Sequence, residues 1–177
     1  MTKRIAFLAL TLMLSSCARP HVKVVRVDPA FQSLVNSFET DGARVGFHVQ
    51  IDDLIIQFTD QLTSETLGEC VQGDDVTPTI NIDAQDWYNE TPEYQKIILY
   101  HELGHCVLDR VHVFTGTILN GNCSATSIMY PYIEDFTNMY TENWQWYVQE
   151  LFYPAVYDSV SQNPGEYCSF NGYWGGT

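Results

Sequence analysis

The chain has 177 residues, 45% of them hydrophobic, and sets 22 acidic residues against 8 basic ones for a formal net charge of −14. That length supports the core of one ordinary domain and gives no reason to expect a second. The charge argues against nucleic acid as a partner, since a phosphate backbone would be repelled; it fits either steering of basic substrates or the solubility of a surface protein.

Residues 1–16 place Lys3 and Arg4 before an apolar run at 5–14, the pattern of a signal peptide and too short to span a bilayer. The run ends in Leu14-Ser15-Ser16-Cys17, which resembles the bacterial lipobox, with a conventional secretory signal as the alternative. The lipobox implies an exported lipoprotein held at a membrane by acyl chains on Cys17, with residues 17–27 as anchor and spacer. Ala18 after the cysteine then implies, for a Gram-negative host, the outer membrane of the cell envelope. Loss of the leader removes Lys3 and Arg4 and takes the net charge to −16. Residues 28–177 are expected to form a single domain, and the protein is expected to be a monomer.

Residues 19–27 read as a spacer entering a strand. Asp28-Pro29 then opens a helix with Phe31, Leu34, Val35 and Phe38 at helical spacing, and Gly42 is expected to close it. Residues 47–51 alternate as a strand should and lead into a second strand at 54–58. His48, alone on such a strand, reads as a surface or packed histidine and not as a ligand. Two more strands are expected at 68–71 and 79–84, joined by Gln72-Gly73-Asp74-Asp75. The acidic pair in that loop reads as a solvated turn in preference to a calcium site.

A helix follows, with Thr91 as cap, Pro92 in the first position and Glu93 where the dipole favours negative charge. Ile98, Leu99, Leu103, Cys106 and Val107 give it a broad apolar stripe. It also carries His101-Glu102-Leu103-Gly104-His105, the H-E-x-x-H pattern. On a helix, positions i and i+4 share a face, so His101 and His105 can aim their imidazoles at one point, where a zinc ion could be held. Glu102, one step around, is placed to act as general base on a water there. The plainer alternative is a helix whose histidines cap or pack. Gly104 costs about 1 kcal/mol relative to alanine in a helix interior, which predicts that a neighbour, such as a stretch of backbone, packs closely against it.

A catalytic zinc takes three protein ligands. His112 is the nearest candidate for the third, provided that a turn near Asp109 swings it back. The rivals are Glu134, Asp135, Glu142 and Glu150, which would need presentation from a second helix. Thr141-Glu142-Asn143-Trp144 reads as the capped start of that helix, running to Phe152 before Pro154. Its apolar face of Trp144, Tyr147, Val148 and Leu151 reads as core.

The histidine pattern resembles the metzincin zinc peptidases, whose motif runs H-E-x-x-H-x-x-G-x-x-H. Here Leu108 occupies the glycine position and His112 arrives one residue late, so Asp109 would take the glycine's place in a left-handed conformation. Ser127-Ile128-Met129-Tyr130-Pro131 resembles the Met-turn of the matrixin branch. The resemblance covers about a fifth of the chain. It implies a zincin-like α+β fold: a small twisted mixed sheet packed on an N-terminal helix and the zinc-binding helix, then the Met-turn and a C-terminal helix. It implies Zn2+ held by His101, His105 and His112, Glu102 as general base, and Met129 as an apolar floor. It also implies that Thr79, Ile80, Asn81 and Ile82 form the edge strand that takes an extended peptide, with Tyr130 and Tyr132 as candidates for sharing oxyanion charge.

Without Cys17, four cysteines remain in an exported chain, Cys70, Cys106, Cys123 and Cys168, which predicts two disulfides. Of the three pairings, Cys106 with Cys123 and Cys70 with Cys168 is favoured, because the first would tie the zinc helix to the loop before the Met-turn. Cys168 would pin the irregular tail at 159–177. The expected activity is that of a zinc metallopeptidase, in particular an endopeptidase, acting on a peptide or protein. A zinc-stabilised binding or assembly lipoprotein without turnover is the alternative. The late His112 favours it, and the intact Glu102 opposes it.

Overall fold

The structure is a computed structural model and describes residues 21–63, 66–119, 121–133, 137–154 and 167–168. The leader, Cys17, Glu134, Asp135 and most of the tail lie outside these residues.

Among the described residues the architecture is α+β, with five helices and two small sheets. Strand β1 (Val25–Val27) precedes helix α1 (Gln32–Arg44), and β2 (Leu54–Thr59), β3 (Gly68–Val71) and β4 (Thr79–Asp83) follow. They form a mixed sheet in the order β1-β2-β4-β3, in which β3 alone runs antiparallel to its neighbour. Period-two alternation explains its inner face: Leu54, Ile56, Ile80 and Ile82 are fully buried. They join Phe31 and Phe38 from the α1 region and Ile97, Leu99, Tyr100 and Leu103 from helix α3 in one core.

Helix α2 (Ala84–Asn89) starts where the Asp83 side chain accepts from the Asp86 N–H at 2.9 Å. Helix α3 (Pro92–Leu108) starts at Thr91, whose hydroxyl accepts from the Tyr94 N–H at 3.2 Å, with Pro92 in the first turn. It ends at Asp109, which has φ 53° and ψ 35° and so is left-handed. A hairpin of β5 (Gly116–Leu119) and β6 (Asn122–Ala125) comes next, with β7 (Tyr167–Cys168) on the other side of β5. Helices α4 (Thr137–Glu142) and α5 (Trp144–Phe152) lie between β6 and β7 in the chain, and α5 buries Tyr147, Val148 and Leu151 as its apolar pattern requires.

Several expectations are corrected. Residues 47–51 form no strand, because Gly46 turns the chain at φ 85° and Phe47 leaves to pack on Phe152, 5.4 Å between ring centroids. Gly42 does not end α1. It lies buried within the helix, where a side chain would press on the Phe47 carbonyl and the Phe152 ring. Thr141 does not start the last helix but lies in α4, its hydroxyl bonded to the Thr137 carbonyl, while Asn143 stands at the start of α5. Strand β4, with Thr79, Ile80, Asn81 and Ile82, is not an edge: β2 pairs with one side and β3 with the other, so its backbone has no free ladder to offer. Among the described residues the edges of this sheet are β1 and β3, and β3 is the one that lies beside α3.

The favoured disulfide pairing is also corrected, since Cys70 is bonded to Cys106 with 5.7 Å between Cα atoms. The edge strand runs beside α3, which brings these two cysteines within bridging range and removes Cys106 from reach of Cys123. Cys123 is itself disulfide-bonded. Among the described residues no helix is long and apolar enough to cross a membrane.

Candidate functional site

The i, i+4 spacing on α3 stacks His101 and His105 as helical geometry requires, with Nε2 atoms 3.1 Å apart. The left-handed Asp109 then reverses the chain, and the Arg110 N–H bonds back to the Gly104 carbonyl at 3.0 Å. The reversal brings His112 over the helix, its Nε2 3.1 Å from that of His101. The extra residue before His112, compared with the metzincin spacing, does not prevent convergence, because the bend absorbs it. The three side chains form a group whose ligating atoms all lie within 4.8 Å of one another. His101 is buried, His105 half-buried and His112 exposed.

The donor set fits a metal ion. His101 Nδ1 lies 2.8 Å from the Ile128 carbonyl, and His105 Nδ1 lies 2.7 Å from the Arg110 carbonyl. A carbonyl can only accept, so each Nδ1 carries the proton and each Nε2 turns a lone pair inward. Lone pairs facing each other at 3.1 Å repel unless a cation sits among them. Burial pushes His101 down to about 3, so that it stays neutral, as a metal ligand must be.

Glu102 is also buried, one step around the helix. Burial pushes its carboxyl up to about 8, the Cys70 N–H opposes the rise by bonding to it, and the Glu69 carboxylate adds to it. Edge strand β3 thus reaches the acid directly. Gly68 makes the approach feasible, for a Cβ there would stand 3.0 Å from Glu102 Cγ and 2.9 Å from Ile82 Cδ1.

These residues lie in a cleft of about 880 Å³. Thr66 to Cys70 form one wall, α3 with Tyr94 and Ile98 forms the floor, and Pro131, Tyr132 and Ile133 form the other wall. Tyr132 is exposed and lines the cleft, whereas Tyr130 is buried below it with its ring centroid 5.8 Å away. Met129 is fully buried beneath α3, against Gly104. The close neighbour that Gly104 demanded is therefore a methionine side chain, not backbone.

Of the rival carboxylates, Glu150 is taken by Arg110, 2.6 Å away, and by Ser127, and neither it nor Glu142 belongs to the histidine group. Arg110 is the site residue that sequence reasoning missed, since a lone arginine between two ligand candidates gave no periodic signal, and Glu150, weighed there only as a rival ligand, is its partner. Comparison with protein-family models, curated proteins and solved structures finds no match to this chain.

Proposed function

We propose that the chain is a zinc-dependent metallopeptidase of metzincin-like type, acting as an endopeptidase on an extended peptide. The observation that carries this reading is the convergence of the three imidazoles beside a buried glutamate, at the centre of an open cleft. His101, His105 and His112 would hold the ion, with the first two fixed in the required tautomer by the Ile128 and Arg110 carbonyls. Zinc, when bound, supplies Lewis-acid activation of a water and polarises the scissile carbonyl.

Glu102 takes the proton from the attacking water and passes it to the leaving amine. Its place suits both roles, one step around the helix from His101 and lining the same cleft. Strand β3 takes the place first expected of β4: among the described residues its outer side has no strand partner, so a substrate can lie along it by main-chain hydrogen bonds. Tyr132, exposed and lining the cleft, would be the phenol that shares oxyanion charge, in preference to the buried Tyr130. Lipidation at Cys17 and residence in the bacterial cell envelope belong to the same proposal, which the leader sequence supports. The binding-protein alternative drew on the late His112, and the convergence of His112 with the other two removes that support.

The test joins metal analysis to peptide cleavage. The wild-type chain is expected to carry one zinc and to cut unstructured protein substrates. Glu102→Gln is expected to keep the zinc and lose about 10²- to 10⁴-fold in kcat. Full activity in Glu102→Gln, or no zinc in the wild type, overturns the reading.

A further inference from the structure

The carbonyls that orient the two helix histidines belong to irregular segments. Ile128 lies in the turn before Pro131, and Arg110 lies in the bend after α3. Neither segment belongs to a helix or strand; main-chain bonds, from the Arg110 N–H to the Gly104 carbonyl and from the Tyr130 N–H to the Ser127 carbonyl among them, tie each in part, and side chains add to these. Glu150, 4% exposed on α5, reaches both. Its Oε1 accepts from Arg110 Nη2 at 2.6 Å, and the same guanidinium donates through Nη1 to the Glu150 and Leu151 carbonyls at 3.1 and 2.6 Å. Its Oε2 accepts from the Ser127 hydroxyl, whose oxygen in turn accepts from the Met129 N–H at 3.0 Å. Ile128 is thus pinned on both sides. The Val113 N–H bonds to the Met129 carbonyl at 2.9 Å, which draws the residue after His112 onto the same turn.

We propose that Glu150 is a positioning residue for the metal centre, one carboxylate whose two oxygens hold the two segments that set the ring orientation of His101 and His105. The proposal rests on the reading of those histidines as zinc ligands. A purely stabilising role would not need this chemistry, since a buried ion pair gains little over well-packed apolar residues. What the pair supplies is direction: a planar fork and a carboxylate fix the angle of Arg110 and Ser127, and so of the carbonyls beside them.

The experiment measures zinc affinity by chelator competition, and ligand geometry by the visible spectrum of the cobalt-substituted protein. It compares the wild type with Glu150→Gln, Ser127→Ala and a control, Asp41→Asn. Asp41 is a buried carboxylate of α1 that accepts from Tyr100 Oη at 2.9 Å and Trp144 Nε1 at 3.1 Å. Its loss should lower the melting temperature without touching the two carbonyl-bearing segments. Glu150→Gln is expected to weaken zinc binding by about 10- to 100-fold and to shift the cobalt spectrum, whereas Asp41→Asn keeps both within about twofold. Ser127→Ala, which removes a single hydroxyl, is expected to weaken binding about tenfold and carries the test if Glu150→Gln does not fold. Wild-type zinc affinity in the Glu150 and Ser127 variants, or an equal loss in Asp41→Asn, overturns this role alone. No zinc binding by the wild type overturns the metallopeptidase reading and this role with it.

Discussion

Gly104 and Met129 are fitted to each other: the space a side chain would occupy on the helix is filled by the methionine sulfur, with Leu151 Cδ1 closing it at 3.3 Å from a built Cβ. A glycine between His101 and His105 is costly to the helix, and Met129 packed directly against it leaves no room for a side chain. Gly104→Ala should recover about 1 kcal/mol of helix propensity and lose more than that to overpacking, for a net destabilisation of about 1–2 kcal/mol. Urea unfolding of Gly104→Ala, Met129→Ala and the double variant checks this. The double variant should be more stable than the sum of the single losses, and simple additivity would refute the contact.

Gly68 and Glu102 make a second tight pair, across the cleft wall. In Gly68→Ala the new methyl must displace Glu102 or Ile82. With Glu102 as the proposed base, a shift of this size is expected to cost about 10- to 100-fold in kcat, since catalytic geometry tolerates little displacement. Zinc content should be unchanged because no histidine moves. Steady-state kinetics beside metal analysis will show it, and an unaltered kcat would argue against Glu102 as the base.

Peptide mapping without reduction should recover Cys70 joined to Cys106. The two are 36 residues apart, and a loop of that size stabilises by about 4 kcal/mol on a chain-entropy estimate. Cys70→Ser with Cys106→Ser should therefore lower the unfolding free energy by up to that amount and loosen β3 from α3. A linkage of Cys106 to Cys123 in the map would contradict the strand arrangement.

Two buried phenols predict the alkaline limit of stability. Tyr140 Oη donates to the Ser127 carbonyl at 3.1 Å and Tyr147 Oη to the Ala125 carbonyl at 2.7 Å. Burial raises both well above 10; Tyr147 and then Glu150 add to the rise at Tyr140, and Glu150 adds to that at Tyr147. The folded value exceeds the unfolded one, so their contribution is complete below about pH 10 and is lost as pH climbs beyond it. Unfolding there releases a proton from each, giving a slope of about 2.7 kcal/mol per pH unit for the pair. Urea midpoints between pH 9 and 12 should fall accordingly, and a flat profile would contradict the burial of these rings.

Much of the site was legible because helical periodicity is a short-range property. The cap at Thr91, the stacking of His101 on His105 and the left-handed Asp109 all follow from neighbours in sequence. Failures came where a partner distant in sequence decides. Residues 47–51 alternate like a strand yet find no ladder, since Phe47 is drawn to Phe152. Strand order was equally hidden: nothing local in Thr79 to Asp83 says that β3 folds back outside it, and the Cys70–Cys106 bridge depends on that order. The β5–β6 hairpin did carry a local signal, Asn120-Gly121 between alternating residues, the strongest short-range mark of a tight turn. Arg110 and Glu150, 40 residues apart, could be paired only by the fold.

The outer side of β3, which among the described residues has no strand partner, has one more consequence. A sheet margin able to receive a peptide can also receive a second copy of itself, and growth by such additions is how exposed margins seed fibrils. The bridge to α3 keeps this strand from peeling away, but it does not cover the margin. At neutral pH the chain's −14 charge opposes such association, and that opposition weakens as the solution approaches the isoelectric point near 4.4.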